Sequence, residues 1–191
     1  MTSDPRPAAP GHVDLVDGAR RLGHLVWFER RMFEVLGGWV PSTAEPEAKL
    51  ALGAHSRHAG WRAGQLFDRL PELRELPAEE LVAPAGPQVV AALDRAADLT
   101  GTAERLGAVY RALALRQLSA LRAELARVPE VSAPTTARSL AMVLDDLGRD
   151  VAAGEAALEA VVVDGPALDR ATGAAAAVEA ELLAGGGGRL A

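Results

Sequence analysis

Apolar residues recur every three or four positions over four long stretches of this chain, and prolines and glycines separate the stretches. The first runs from Val13 to Val40, with Leu15, Leu22, Leu25, Met32 and Leu36 at helical spacing, and stops at Gly37-Gly38 or Pro41. The second opens at Pro46, well placed for a first helical turn, and stops at Leu70 before Pro71. Prolines 71, 77, 84 and 87 forbid a long helix over the next segment, which predicts an extended crossover with one helical turn at Ala78–Leu81. The third stretch, Val89 to Val128, makes about 60 Å of helix. That is too long for a domain of this size, so a break is expected near Gly101. Two of its faces compete for the interior: Leu99, Leu106, Val109, Leu113 and Leu121 on one, Glu104, Gly107, Arg111, Ala114 and Leu118 on the other. The fourth helix, capped by Thr135 or Thr136, carries a stripe of Leu140, Val143, Leu144, Leu147, Val151, Leu158 and Val161 to about Val163.

These elements predict an all-α protein in four parts: a disordered arm (1–12), a helical bundle (13–163), a C-terminal helix (164–184) and a flexible tail (185–191) that contains a run of four glycines. A crossover as long as the one after Leu70 joins the end of the second helix to the far end of the third, so the bundle is not a simple up-down-up-down one.

Composition narrows the function classes. The chain has 191 residues, enough for one domain with a full core; 49% are hydrophobic but only 4% aromatic, with alanine and leucine supplying the apolar mass. A net charge of -6 with no basic stripe argues against a nucleic-acid partner. The absence of cysteine removes disulfides, thiolate metal sites and a cysteine nucleophile. Neither a signal peptide nor a membrane-spanning run is recognisable, so a cytoplasmic protein is expected. Its one lysine, Lys49, among many arginines suggests GC-rich bacterial coding.

Several polar residues fall where a core is expected. Glu29 lies in the Leu25–Met32 stripe, and a carboxylate there must be paired, ligated or protonated. His55 and His58 stand one helical turn apart on the second helix and can point at one spot, with Trp61 as a wall. Ser56, between them, has no partnered acid in view. The same helix carries Gly53, Gly60 and Gly64, and Gly60 with Gly64 predicts the closest helix–helix or subunit contact. On the fourth helix Asp146, Arg149 and Asp150 lie just off the apolar stripe, and Arg111 of the third borders its two faces.

The segments LGHLVWFERRMFEVLGGWV, AHSRHAGWRA and LDDLGRDVAAGEAAL, in a four-helix frame with that crossover, resemble the ferritin-like superfamily, in particular bacterial ferritin-like domain proteins. The resemblance implies a ferritin-like four-helix bundle with a long crossover between helices 2 and 3, plus an extra C-terminal helix. In di-metal members each half supplies one Glu and one Glu-x-x-His. Carried over, Glu29 matches the first-helix glutamate and His58 the second-helix histidine, with His55 where a glutamate belongs. Glu104 is the near-register acid of the third helix, and Asp146-x-x-Arg149 replaces Glu-x-x-His in the fourth.

The metal set is then Glu29, His55, His58 and Asp146. Arg111 and Arg149, with Asp150, are the buried-charge partners that can replace a metal. The reading adopted is a degenerate metal site in a non-catalytic scaffold or binding protein with no cofactor. The alternative is an iron-dependent oxidoreductase using the His/carboxylate site. A homodimer, a protein partner or a small-molecule ligand held against Trp27, Trp39 or Trp61 stays open as the partner.

Overall fold

A computed structural model of the chain describes residues 15–72, 74 and 76–184; the expected N-terminal arm and glycine tail lie outside them. No strand occurs among the described residues, so the chain is all-helical there. The elements are α1 (Leu15–Trp39), α2 (Pro46–Phe67), α3 (Ala78–Leu81), α4 (Pro87–Ala97), α5 (Thr102–Ala108), a π-helical turn (Val109–Leu113), α6 (Ala114–Arg127), α7 (Pro134–Val161) and α8 (Gly165–Leu183). No helix among the described residues is long and apolar enough to cross a membrane.

Local chemistry sets most boundaries. Prolines open α2, α4, α7 and α8 within their first two positions, where a missing N–H costs nothing. The Ser42 and Thr43 hydroxyls donate to the Trp39 carbonyl where α1 ends, at 3.2 and 2.9 Å. Asp164 caps α8 by accepting from the Ala167 N–H at 2.7 Å. The fourth long helix is not capped by Thr135 or Thr136: it starts at Pro134, whose fixed φ does the work, and Ala133 precedes it without a side-chain cap.

Four rods form a ring. α1 packs against α2 and α6, and α7 against α2 and the continuous α5–π–α6 rod. Each neighbouring pair is antiparallel. Phe33 and Glu29 face Ser56 and Arg62, Asp146 and Asp150 face Arg62 and His58, Arg111 faces Glu155, and Arg21 faces Glu124. α2 and the α5–α6 rod therefore share a diagonal and run the same way, and the chain between them must travel the bundle's length. It does so along α1: Leu81 packs at Gly23, Arg30 pairs with Glu79, Arg31 with Asp94, and the Trp39 indole donates to Ala97. α8 covers α4 and α5 from outside. This explains why both faces of the third stretch are buried, Leu106, Val109 and Leu113 together with Gly107, Ala114 and Leu118.

The apolar interior falls into two clusters. One joins the second half of α1 to α4, α5 and α8 through Phe28, Met32, Leu36, Leu93, Leu106 and Leu113. The other joins the first half of α1 to α6 and α7 through Leu22, Leu25, Leu66, Leu121, Leu140 and Leu147. Glu29, Arg62, Gln117 and Asp150 belong to neither and lie buried between them.

Within the chain, the closest approaches to glycine occur at positions other than Gly60 and Gly64. A Cβ on Gly23 would overlap the Leu81 backbone, and one on Gly107 the backbone of Ala171. Gly60 instead meets only the Phe33 ring, 3.3 Å from a built Cβ, and Gly64 faces open space.

Candidate functional site: a buried arginine layer

Glu29 is fully buried and Arg62 is 1% exposed. The guanidinium holds three carboxylates at once. Its Nε donates to Glu29 Oε1 at 2.8 Å, and its Nη1 donates to Asp146 Oδ2 at 2.8 Å and to Asp150 Oδ2 at 2.7 Å. Asp150 is the hub of the second half. His58 Nδ1 donates to its Oδ1 at 2.7 Å, and His55 Nε2 lies 3.4 Å from the same oxygen. His55 Nδ1 in turn meets the Tyr110 hydroxyl at 2.5 Å.

Helical periodicity delivers these groups. His55, His58 and Arg62 follow at spacings of three and four and share a face of α2. Asp146 and Asp150 do the same on α7. Tyr110 comes from the π-helical turn, and Gly154 makes room for it, since a Cβ there would overlap the phenol ring. π-turns inside α-helices are rare and concentrate at functional sites.

Burial orders the protonation states. Desolvation pushes the Glu29 carboxyl up to about 7 against the opposing pull of Arg62, and Asp150 pushes it the same way. Arg62, despite its desolvation, is held charged by Glu29, Asp150 and Asp146. One guanidinium facing three carboxylates leaves an excess of negative charge. Glu29, the most enclosed carboxylate, is the one that takes a proton near neutrality. Burial, then the Asp150 charge, raises the Tyr110 phenol well above its ordinary value, so its hydroxyl stays a donor. Burial lowers His55, which is therefore neutral. Tyr110 donating to Nδ1 places the His55 proton on Nε2, facing Asp150. The result is a polar chain from the buried Tyr110 through His55 and Asp150 to His58, whose side chain is half-exposed. Gln117 approaches Glu29 from α6 without closing a hydrogen bond, and Glu29 Oε2 and both Gln117 amide atoms are buried without partners.

The sequence-based charge partners require correction. Arg149 does not enter the interior: its side chain is 73% exposed and pairs with Asp145 one turn back on α7. Arg111 reaches Glu155 at the rim, at 3.1 Å, rather than Glu29 or Asp146. Both point off the seam that α7 shares with α2, and Arg62 fills that seam. Glu104 sits at the start of α5 and pairs with Arg170 at 3.3 Å, so the third rod contributes Tyr110 and Gln117 to the layer, neither of which stood out in the sequence. Trp61 is 42% exposed and walls nothing in the layer. Trp39 is buried under Arg105, and Ser56 donates to the Phe33 carbonyl at 2.9 Å. Arg62 had a readable signal: it lies four residues beyond His58 on the inward face.

A di-metal centre does not fit these residues. The atom bridging Asp146 and Asp150 is a guanidinium nitrogen, so a cation between them would sit against a fixed positive charge. Of the expected ligands, only His58 and Asp146, joined by Asp150, bring ligand atoms within 4.8 Å of one another; Glu29 and His55 lie outside that group. Compared with known proteins, the chain matches no family model, no curated sequence and no solved structure.

Proposed function

We propose that this chain is a ferritin-like bundle in which an arginine has taken the place of the metal, and that it works as a non-catalytic scaffold or binding protein. The ring order, with α2 and the α5–α6 rod on one diagonal and a long connection along α1, supports the ferritin-like reading. The observation that carries the functional reading is Arg62, which donates to Glu29, Asp146 and Asp150 from inside the layer. A guanidinium there neutralises carboxylates that would otherwise require a metal, and its fixed geometry favours such forked pairing. The outer face of α2 carries exposed Leu50 and Trp61 on either side of Arg57, with exposed Phe33 of α1 beside it, and these apolar side chains support contact with a second copy of the chain. Trp61→Asp then lowers the mass measured by sedimentation; an unchanged mass removes that contact face.

The test of the central reading is metal content and stability of protein purified without an affinity tag. The scaffold reading expects substoichiometric iron even after incubation with ferrous iron, and a large loss of stability in Arg62→Ala. Iron bound at near one equivalent and lost in His58→Ala overturns it. That outcome favours the second reading, an iron-dependent oxidoreductase, for which the grouping of His58, Asp146 and Asp150 on the open side of the layer is the supporting observation.

A further inference from the structure

At the end of the bundle where α1 begins, α2 ends and α6 gives way to α7, the helices line a half-open cavity of about 390 Å³. Ala19, Leu22 and Val128 form its apolar wall. Arg69, just past the end of α2 and partly buried, lines it: its Nε is enclosed without a hydrogen-bond partner, and no carboxylate of the described residues pairs with its guanidinium. The one carboxylate lining the cavity is already engaged. Glu124 accepts from Arg21 at 2.7 and 3.3 Å and lies 3.5 Å from Arg127. Two guanidiniums thus share the one carboxylate of the lining, and Arg69 is left as a third cation with none of the lining's carboxylates on it. An enclosed guanidinium nitrogen with no acceptor is costly, and an anionic ligand would supply what the protein does not.

We propose that this cavity is a binding site for an apolar monocarboxylate of medium chain length, its carboxylate on Arg69 and its tail against Leu22, Ala19 and Val128. Guanidinium and carboxylate match as a bidentate pair. The volume lies at the small end of ligand cavities, on the order of 300–1,000 Å³, which suits a medium chain rather than a full-length lipid. The site is separate from the arginine layer and stands or falls independently of the scaffold reading.

Calorimetric titration of the full chain with decanoate, decanol and acetate tests it. Decanoate is expected to bind saturably at one site, decanol about ten- to hundredfold more weakly, the worth of a charged hydrogen bond, and acetate more than about a thousandfold more weakly for want of the tail. Arg69→Gln lowers decanoate affinity by a similar factor while leaving the melting temperature unchanged or higher, because an unpaired cation is removed. Thr136→Phe, which fills the cavity from its rim, abolishes binding in protein whose circular dichroism is unchanged. The exposed-site variant Arg57→Gln binds as the parent does. The proposal is overturned by equal affinity for decanoate and decanol, by undiminished binding to Arg69→Gln, by no saturable binding, or by binding that needs prior removal of residues 1–14.

Discussion

Arg62 and Glu29 are joined by a 2.8 Å hydrogen bond between neighbouring antiparallel helices, and neither side chain is appreciably exposed to water. The same guanidinium also serves Asp146 and Asp150, so removing it leaves the fully buried Glu29 without a counter-charge and takes a partner from two further carboxylates. Arg62→Ala is therefore expected to cost at least about 3 kcal/mol, the scale of breaking a buried ion pair. Arg149→Ala, an exposed arginine, costs under about 0.5 kcal/mol. Urea denaturation of the two variants checks this; equal midpoints would refute the assignment of Arg62 as the central counter-charge.

The proton on Glu29 has a measurable consequence. Its folded value of about 7 lies above its ordinary 4.5, so between these limits the folded state keeps a proton that the unfolded state has lost. The contribution of Glu29 is full at the acid end and is lost as pH rises through about 7. His55, lowered from 6.5, acts in the opposite sense and loses its contribution as pH falls, so the raw profile mixes both. Glu29→Gln imitates the protonated acid and isolates the first effect. Relative to the parent, its denaturation midpoint should improve from about pH 4.5 to about pH 7 and level off above that. A constant difference across that range would show that Glu29 does not titrate there.

Tyr110 is the single tyrosine of the chain, which makes its ionisation readable by absorbance. Burial beside Asp150 raises it well above the ordinary phenol value, so phenolate should appear only as the protein unfolds at alkaline pH. Gly154→Ala places a methyl group inside the space of the Tyr110 ring and should destabilise by more than about 2 kcal/mol. Ionisation at the ordinary phenol value in the folded parent would contradict the enclosed Tyr110–His55 pair.

The glycines differ in what they permit. Gly23→Ala drives a Cβ into the Leu81 backbone, which has no rotamer to yield, and is expected to cost more than about 2 kcal/mol. Gly60→Ala meets only the half-exposed Phe33 ring, and the gain of about 1 kcal/mol in helix propensity should offset it. Thermal melting of the two variants should rank them in this order, and the reverse order would mean that Gly60 marks the tighter approach.

By itself the sequence determined what local rules govern. Proline positions and the spacing of apolar residues place α1, α2 and α7 close to their observed limits, and the prolines between 71 and 88 exclude a long helix there. Glu29 is legible as a buried carboxylate because one helical face fixes its neighbours Leu25 and Met32. The identity of its counter-charge was not, because Arg62 meets Glu29 and Asp150 across separations of 33 and 88 residues, and no helical periodicity encodes a distance between helices. Along the chain Arg62 falls on the inward face of α2 and Arg111 and Arg149 at the edges of theirs, but that pattern does not say which of the three meets Glu29. Only the rotation of α7 against α2 sends Arg149 to solvent and turns Asp150 inward. The π-helical turn, the fit of Tyr110 over Gly154 and the unpaired Arg69 in its cavity are likewise products of packing, because each depends on which surface lies opposite.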